Sequence, residues 1–204
     1  MNQKKITVFH ICLTAMAVGI NAAGGQLALL LRLPVYLDSI GTILTGALLG
    51  PWFGMLPSLL SGLLMGITTD IYSLYFAPAG MVTGLMNGLV WQKWIRKKAG
   101  SQAGAGGRLW LAALAVSIPG TMVSSMICAV VFGGVTSSGS MVLVQLLAKT
   151  PLGMTASIFL VQIITDYLDR AISMFMVLYL IRALPGRLLE KLGCRVRPGT
   201  KERR

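Results

Sequence analysis

Residues 39–69 read SIGTILTGALLGPWFGMLPSLLSGLLMGITT, a run without one charged side chain and with a Gly50-Pro51 break near its middle. Proline lacks an N–H and its ring clashes with the preceding turn, so it does not continue a helix cleanly. The run is therefore either two short helices joined by a tight turn or one long helix kinked at Pro51. Charges elsewhere separate the two readings. Lys4 and Lys5 precede the first apolar run, and Lys93, Arg96, Lys97, Lys98 and Arg108 fill an interior gap. Basic residues from Arg182 to Arg204 close the chain, while the intervening gaps are nearly free of Lys and Arg. Lysine and arginine are retained on the cytoplasmic side of a membrane. A kinked single helix would put the 93–108 gap opposite the N-terminus; a hairpin puts all basic segments on one face. The hairpin is expected, with both termini cytoplasmic.

Composition supports a membrane class. Of 204 residues, 55% are hydrophobic and 12% charged, against about 25% charged in soluble domains. The net charge of +12 flanks apolar runs instead of forming a soluble patch. It therefore points to orientation and anionic lipid, and no nucleic acid is expected. Cys12, Cys128 and Cys194 are far apart and odd in number, so they give no disulfide framework. The first apolar run continues past Asn21 to Leu31, too long for a signal-peptide core of about 7–15 residues, and reads as a retained helix.

A spanning helix needs about 20 apolar residues. The expected architecture is an all-α integral membrane protein, a single membrane domain of six transmembrane helices. The spans are placed at about 6–33, 38–49, 52–69, 77–94, 109–132 and 163–184. A Gly/Ala-rich basic loop, 97–108, is expected on the cytoplasmic face. An outer segment, 133–162, holds an interfacial or re-entrant stretch around Met141–Ala148, and a basic cytoplasmic tail covers 185–204. Trp52, Trp91, Trp94 and Trp110 map to the cytoplasmic boundary and Tyr36, Tyr72 and Tyr75 to the opposite one, where amphipathic rings settle. Small residues recur every four positions: Gly54, Ser58, Gly62 and Gly66, then Gly80, Gly84 and Gly88, then Ala15, Gly19 and Ala23. Such stripes let helix backbones approach closely, inside the bundle or against a partner in the membrane.

Ionisable groups within apolar helices are costly and are functional suspects. The sixth span holds Asp166, Asp169 and Arg170; Asp166 and Arg170 are four apart and able to pair. They form either a structural ion pair or the floor of an outward-facing pocket. Arg32, Tyr36, Asp38, Ser39, Asp70, Tyr72, Tyr75, Lys149 and Thr150 fall on the same side. Asp38 and Asp70 also fit helix N-caps, and Asn87 needs a partner helix. Enzymatic readings lack support. His10 is the only histidine, no metal-ligand cluster occurs, and Asp166-x-x-Asp169 lacks the other aspartates of a membrane phosphotransferase. No phosphate-cradling glycine loop ending in Lys is present. No enzyme, metal or cofactor is expected.

The run Leu37-Asp38-Ser39-Ile40-Gly41-Thr42, the Gly50-Pro51-x-x-Gly54 turn and a last helix opening with Asp169-Arg170 resemble the substrate-binding S-components of energy-coupling factor (ECF) transporters, in an uncharacterised bacterial group. The likeness extends over nearly the whole chain. It implies a subunit in a bacterial plasma membrane that captures a vitamin or related micronutrient from outside. It also implies a membrane coupling subunit and two cytoplasmic ATPases as partners. In that family the first helix docks the coupling subunit through an Ala-x-x-x-Ala motif, matched here by Ala15 and Gly19, with Ala23 continuing the stripe. The substrate site is expected at Arg32, Tyr36, Asp38, Tyr75, Asp166, Asp169 and Arg170. A membrane sensory or scaffold module that signals to a cytoplasmic partner is the alternative.

Overall fold

The computed structural model describes residues 7–96, 105–133, 139–151 and 153–184. Of the expected basic loop 97–108, residues 97–104 lie outside the described residues, as do 1–6, 134–138, 152 and the 185–204 tail, whereas residues 105–108 belong to a helix. Seven α-helices follow in order: α1 Val8–Leu30, α2 Ile40–Leu49, α3 Pro51–Thr68, α4 Ile71–Val90, α5 Ala105–Phe132, α6 Ser140–Ala148 and α7 Gly153–Ala183. A π-helical turn, Trp91–Arg96, extends α4. No strand occurs among the described residues.

Burial is inverted relative to a water-soluble bundle. Ile67 (81% exposed) and Val130 (75%) lie open on the exterior, whereas Asn21, Thr83, Asn87 and Asp169 are fully buried. Large apolar exteriors mark a membrane or partner surface. α1, α3 and the Gly107–Phe132 part of α5 are each long and apolar enough to cross a bilayer.

The Gly50-Pro51 break makes the hairpin. Gly50 adopts φ 106°, a left-handed conformation that favours glycine, and Pro51 opens α3 at its first turn. A Cβ on Gly54 would lie 2.9 Å from the Gly46 Cα, so α2 and α3 fold back on each other. The small-residue stripes of α3 and α4 then mesh antiparallel: Gly66 on Leu74, Gly62 on Ala77, Ser58 on Gly80, Gly54 on Gly84 and Gly88 on Pro51. These stripes are internal packing. The stripe on α1 differs: Ala15, Gly19 and Ala23 are exposed, and a Cβ on Gly19 would meet nothing within 4 Å.

Two apolar clusters stand at opposite ends. One gathers Leu13, Ile43, Trp91, Leu109, Met174 and Val177, with Phe9 and Leu184 against it. The first turn of α1 and the last turn of α7 therefore lie at the same end. Trp52 and Trp110 are exposed there, whereas Trp91 is buried in the core and does not face outward. The other cluster joins Cys128, Val144, Ile158 and Val161, fastening α6 to α7.

Two expectations are corrected. The last helix starts at Gly153, not near 163, and Asp169-Arg170 lie mid-helix instead of opening it. The 133–162 segment thus contains α6 and the first turns of α7. The fourth helix starts at Ile71, not 77, because Asp70 occupies its N-cap.

The meshing of α3 and α4 leaves no room for added methyls. Gly84→Ala should lower stability by about 1–3 kcal/mol through overpacking, whereas Gly19→Ala should leave it unchanged or raise it by up to about 1 kcal/mol through helix propensity. Thermal unfolding of the two purified variants compares them, and equal losses at both sites would contradict this packing.

Candidate functional site

The site is organised by the linker between α1 and α2. From Leu30 the chain turns back and runs down the side of α1. A Cβ on Gly24 would overlap the Leu37 carbonyl, Gly25 faces Asp38, and Gly41 abuts Ala17. Leu31, Arg32 and Pro34 are exposed, as expected of an outer gap, but Leu37 and Asp38 lie against α1 and Ser39 is buried. Non-helical backbone at membrane depth must find protein partners for its polar groups. The Leu37 N–H donates to Asp169 Oδ1 (2.8 Å), and the Gly41 N–H donates to Asn21 Oδ1 (2.7 Å). Leu37 adopts φ 53°, unusual for leucine, and is held there by Asp169 and by the glycine face of α1.

Asp169 is fully engaged. Its Oδ2 accepts from Ser39 Oγ (2.6 Å) and pairs with Arg170 Nη1, while Oδ1 holds the linker. Arg170 Nη2 reaches Thr83 Oγ1 at 3.5 Å, and its Nε has no acceptor among the described residues. The Asp166–Arg170 pair suggested by their spacing does not form as a salt bridge. Asp166 Oδ2 instead accepts from Thr121 Oγ1 (2.8 Å) and Ser124 Oγ (3.1 Å) on α5. Two serine and threonine hydroxyls replace the arginine, and the arginine takes its sequence neighbour.

A cavity opens between the linker, α3, α4, α5 and α7. Asp70 and Tyr72 stand toward its outer end; Thr83, Asp166 and Arg170 lie deeper. Its empty space is about 800 Å³ including the open mouth, room for a small molecule. Polar groups come from every wall: Ser58 and Ser61 of α3, Ser73 of α4, Ser124 of α5 and Gln162 of α7. A second hollow of similar empty volume, about 760 Å³ between α5 and α7, is lined mainly by apolar side chains such as Leu114, Met122, Phe159 and Ile164. It offers few groups to orient a polar ligand, so the first cavity is the candidate site.

Four of the seven anticipated substrate residues line this cavity: Tyr36, Asp38, Asp166 and Arg170. Asp169 stands behind the wall as the clamp of the linker. Arg32 is exposed and outside the lining, and Tyr75 is half-exposed with its ring edge against Phe132 (5.3 Å). Asp38 does not cap α2, whose N-cap is Ser39. Asp70 is the N-cap of α4, and its carboxylate accepts from Ser73 Oγ (2.9 Å). The hydroxyls of Thr42, Ser58, Ser61 and Thr83 escaped sequence reasoning. A hydroxyl that can bond a carbonyl one turn back, as Thr83 does to Ala79, is inexpensive in any helix and gives no pattern. Asn87, anticipated to need a partner, donates to the Ile43 carbonyl (2.9 Å). His10 accepts from the Thr7 N–H at the start of α1 and packs on Phe53. No group of three His, Cys, Asp or Glu side chains is placed for a metal among the described residues.

No family model matches the chain, and no curated protein or solved structure matches it.

Removing Asp169 should unfasten the linker and strand a buried guanidinium. Asp169→Ala should cost about 3–5 kcal/mol and expose the Leu37 amide to hydrogen exchange, whereas Asp166→Asn should cost less because Thr121 and Ser124 can still donate to the remaining amide oxygen. Exchange rates and unfolding temperatures of the two variants check this. An unchanged Leu37 amide in Asp169→Ala would contradict the clamp.

Proposed function

We propose that the protein is the substrate-capture subunit of an ATP-driven importer of the energy-coupling factor type, in a bacterial plasma membrane. The observation that carries this reading is the cavity: a pocket walled by carboxylates, hydroxyls and aromatic rings, inside helices whose outer faces are apolar. Polar groups are expensive at that depth and are retained where they bind or conduct something. Asp70 and Tyr72, at the start of α4, line the cavity at the end expected to face outside, which suits capture from there. In this reading six helices span the bilayer, α6 lies at the outer interface, and both termini are cytoplasmic.

The exposed stripe Ala15, Gly19 and Ala23 supports a docking role. It is smooth and open, while the opposite face of α1, through Ala17, Asn21 and Gly25, is buried against the linker and α2. A membrane coupling subunit would seat there, and its two ATPases would supply the energy. The protein's own part is recognition of a vitamin-like molecule and reorientation, with no bond made or broken.

Purified protein should be stabilised by one compound from a vitamin and nucleobase panel, by RT ln(1 + [L]/Kd). No shift across the panel would count against capture. Gly19→Trp should keep that shift and lose co-purification with the ATPases from native membranes. Retained co-purification would refute the docking role of α1.

A further inference from the structure

The chain has six acidic residues and a net charge of +12, yet all four of its aspartates meet at this cavity. Asp38, Asp70 and Asp166 line it, and Asp169 stands directly behind. The one cationic side chain in the lining is Arg170, and Asp169 already meets its charge. Arg170 therefore does not set the sign of the cavity; the remaining carboxylates do.

Two of those carboxylates have capacity to spare. Asp166 is only 4% exposed, and both hydroxyls that reach it use Oδ2, leaving Oδ1 of this lining residue without a hydrogen-bond partner among the described residues. Asp38 also lines the cavity and has a hydrogen bond with its own backbone but none from another side chain among the described residues. Carboxylates kept in an apolar bundle with open oxygens call for an opposite charge or donors. Aromatic rings share the lining at Tyr36, Tyr72 and Phe76, and ring faces attract organic cations. A bare divalent ion is disfavoured, because no three potential ligands cluster for it among the described residues. An anion would meet Asp38, Asp70 and Asp166 in the same lining as Arg170.

We propose that the cavity selects a small organic cation, an amidinium or protonated amine, whose N–H groups donate to Asp166 Oδ1 and to Asp38. This assignment rests on the capture reading and names its ligand class.

Benzamidine, benzamide and benzoate share one shape and differ in charge, and their affinities for the purified protein can be measured by calorimetry and thermal shift. Benzamidine should bind roughly tenfold or more tighter than benzamide, as charge-assisted bonds exceed neutral ones, and benzoate should not bind. Asp166→Asn and Asp38→Asn should each weaken benzamidine while leaving benzamide unchanged; their ligand-free unfolding temperatures report whether each variant folds. Benzamide or benzoate binding as tightly as benzamidine, absence of benzamidine binding, or unchanged benzamidine affinity in both folded variants would overturn the proposal. The importer reading fails separately. Charge-selective binding without ATP-dependent uptake in vesicles bearing the coupling module refutes transport alone, and uptake of a neutral or anionic compound through this cavity refutes the cation assignment alone.

Discussion

The structure depends on one carboxylate in the middle of one helix. The linker 31–39 is non-helical; the amides of Leu31, Arg32 and Leu33 still donate to carbonyls of α1, but the Leu37 amide, further along, has no helix or sheet partner. Asp169 supplies the partner for Leu37, orients Ser39 at the start of α2 and compensates Arg170. Each of these groups would be costly alone in an apolar interior; together they satisfy one another. The cavity is the space left when this clamp holds the linker against α1 and away from α3 and α4.

That arrangement explains why the helices have unequal lengths. α2 has ten residues, about 15 Å at the rise of an α-helix, and reaches only part of the way along α1. The linker fills the remainder, which places Asp38 opposite the middle of α7 instead of at its end. The glycine ladder between α3 and α4 completes the wall. It draws two helices close without bulky side chains, and Ser58, Ser61 and Thr83 line the cavity beside it.

Much of this was legible in the sequence because it rests on strong local signals. Gly50-Pro51 forces a turn, four-residue spacing of glycine forces close packing, and aspartates in apolar runs demand partners. Asp38, Asp166 and Arg170, singled out on that ground, line one cavity. Distance-dependent details were not legible. Spacing of four made Asp166 and Arg170 natural partners, but hydroxyls from α5, distant in sequence, reached Asp166 first. Counting a membrane's width back from Arg182 put the last helix near 163, but that helix has 31 residues and runs on past the width that the count assumed. The polar lining from serine and threonine was silent, since single hydroxyls leave no periodic trace.

The central claim is a polar bowl that faces the outside of a membrane, opposite the basic segments. Lys149 is exposed just after α6, in the expected outer segment. The direct measurement is labelling of Lys149→Cys, in a background with Cys12, Cys128 and Cys194 replaced by Ser, by a membrane-impermeant maleimide. Intact cells should label fully at residue 149. Labelling only after permeabilisation would put that end of the bundle in the cytosol and contradict the account.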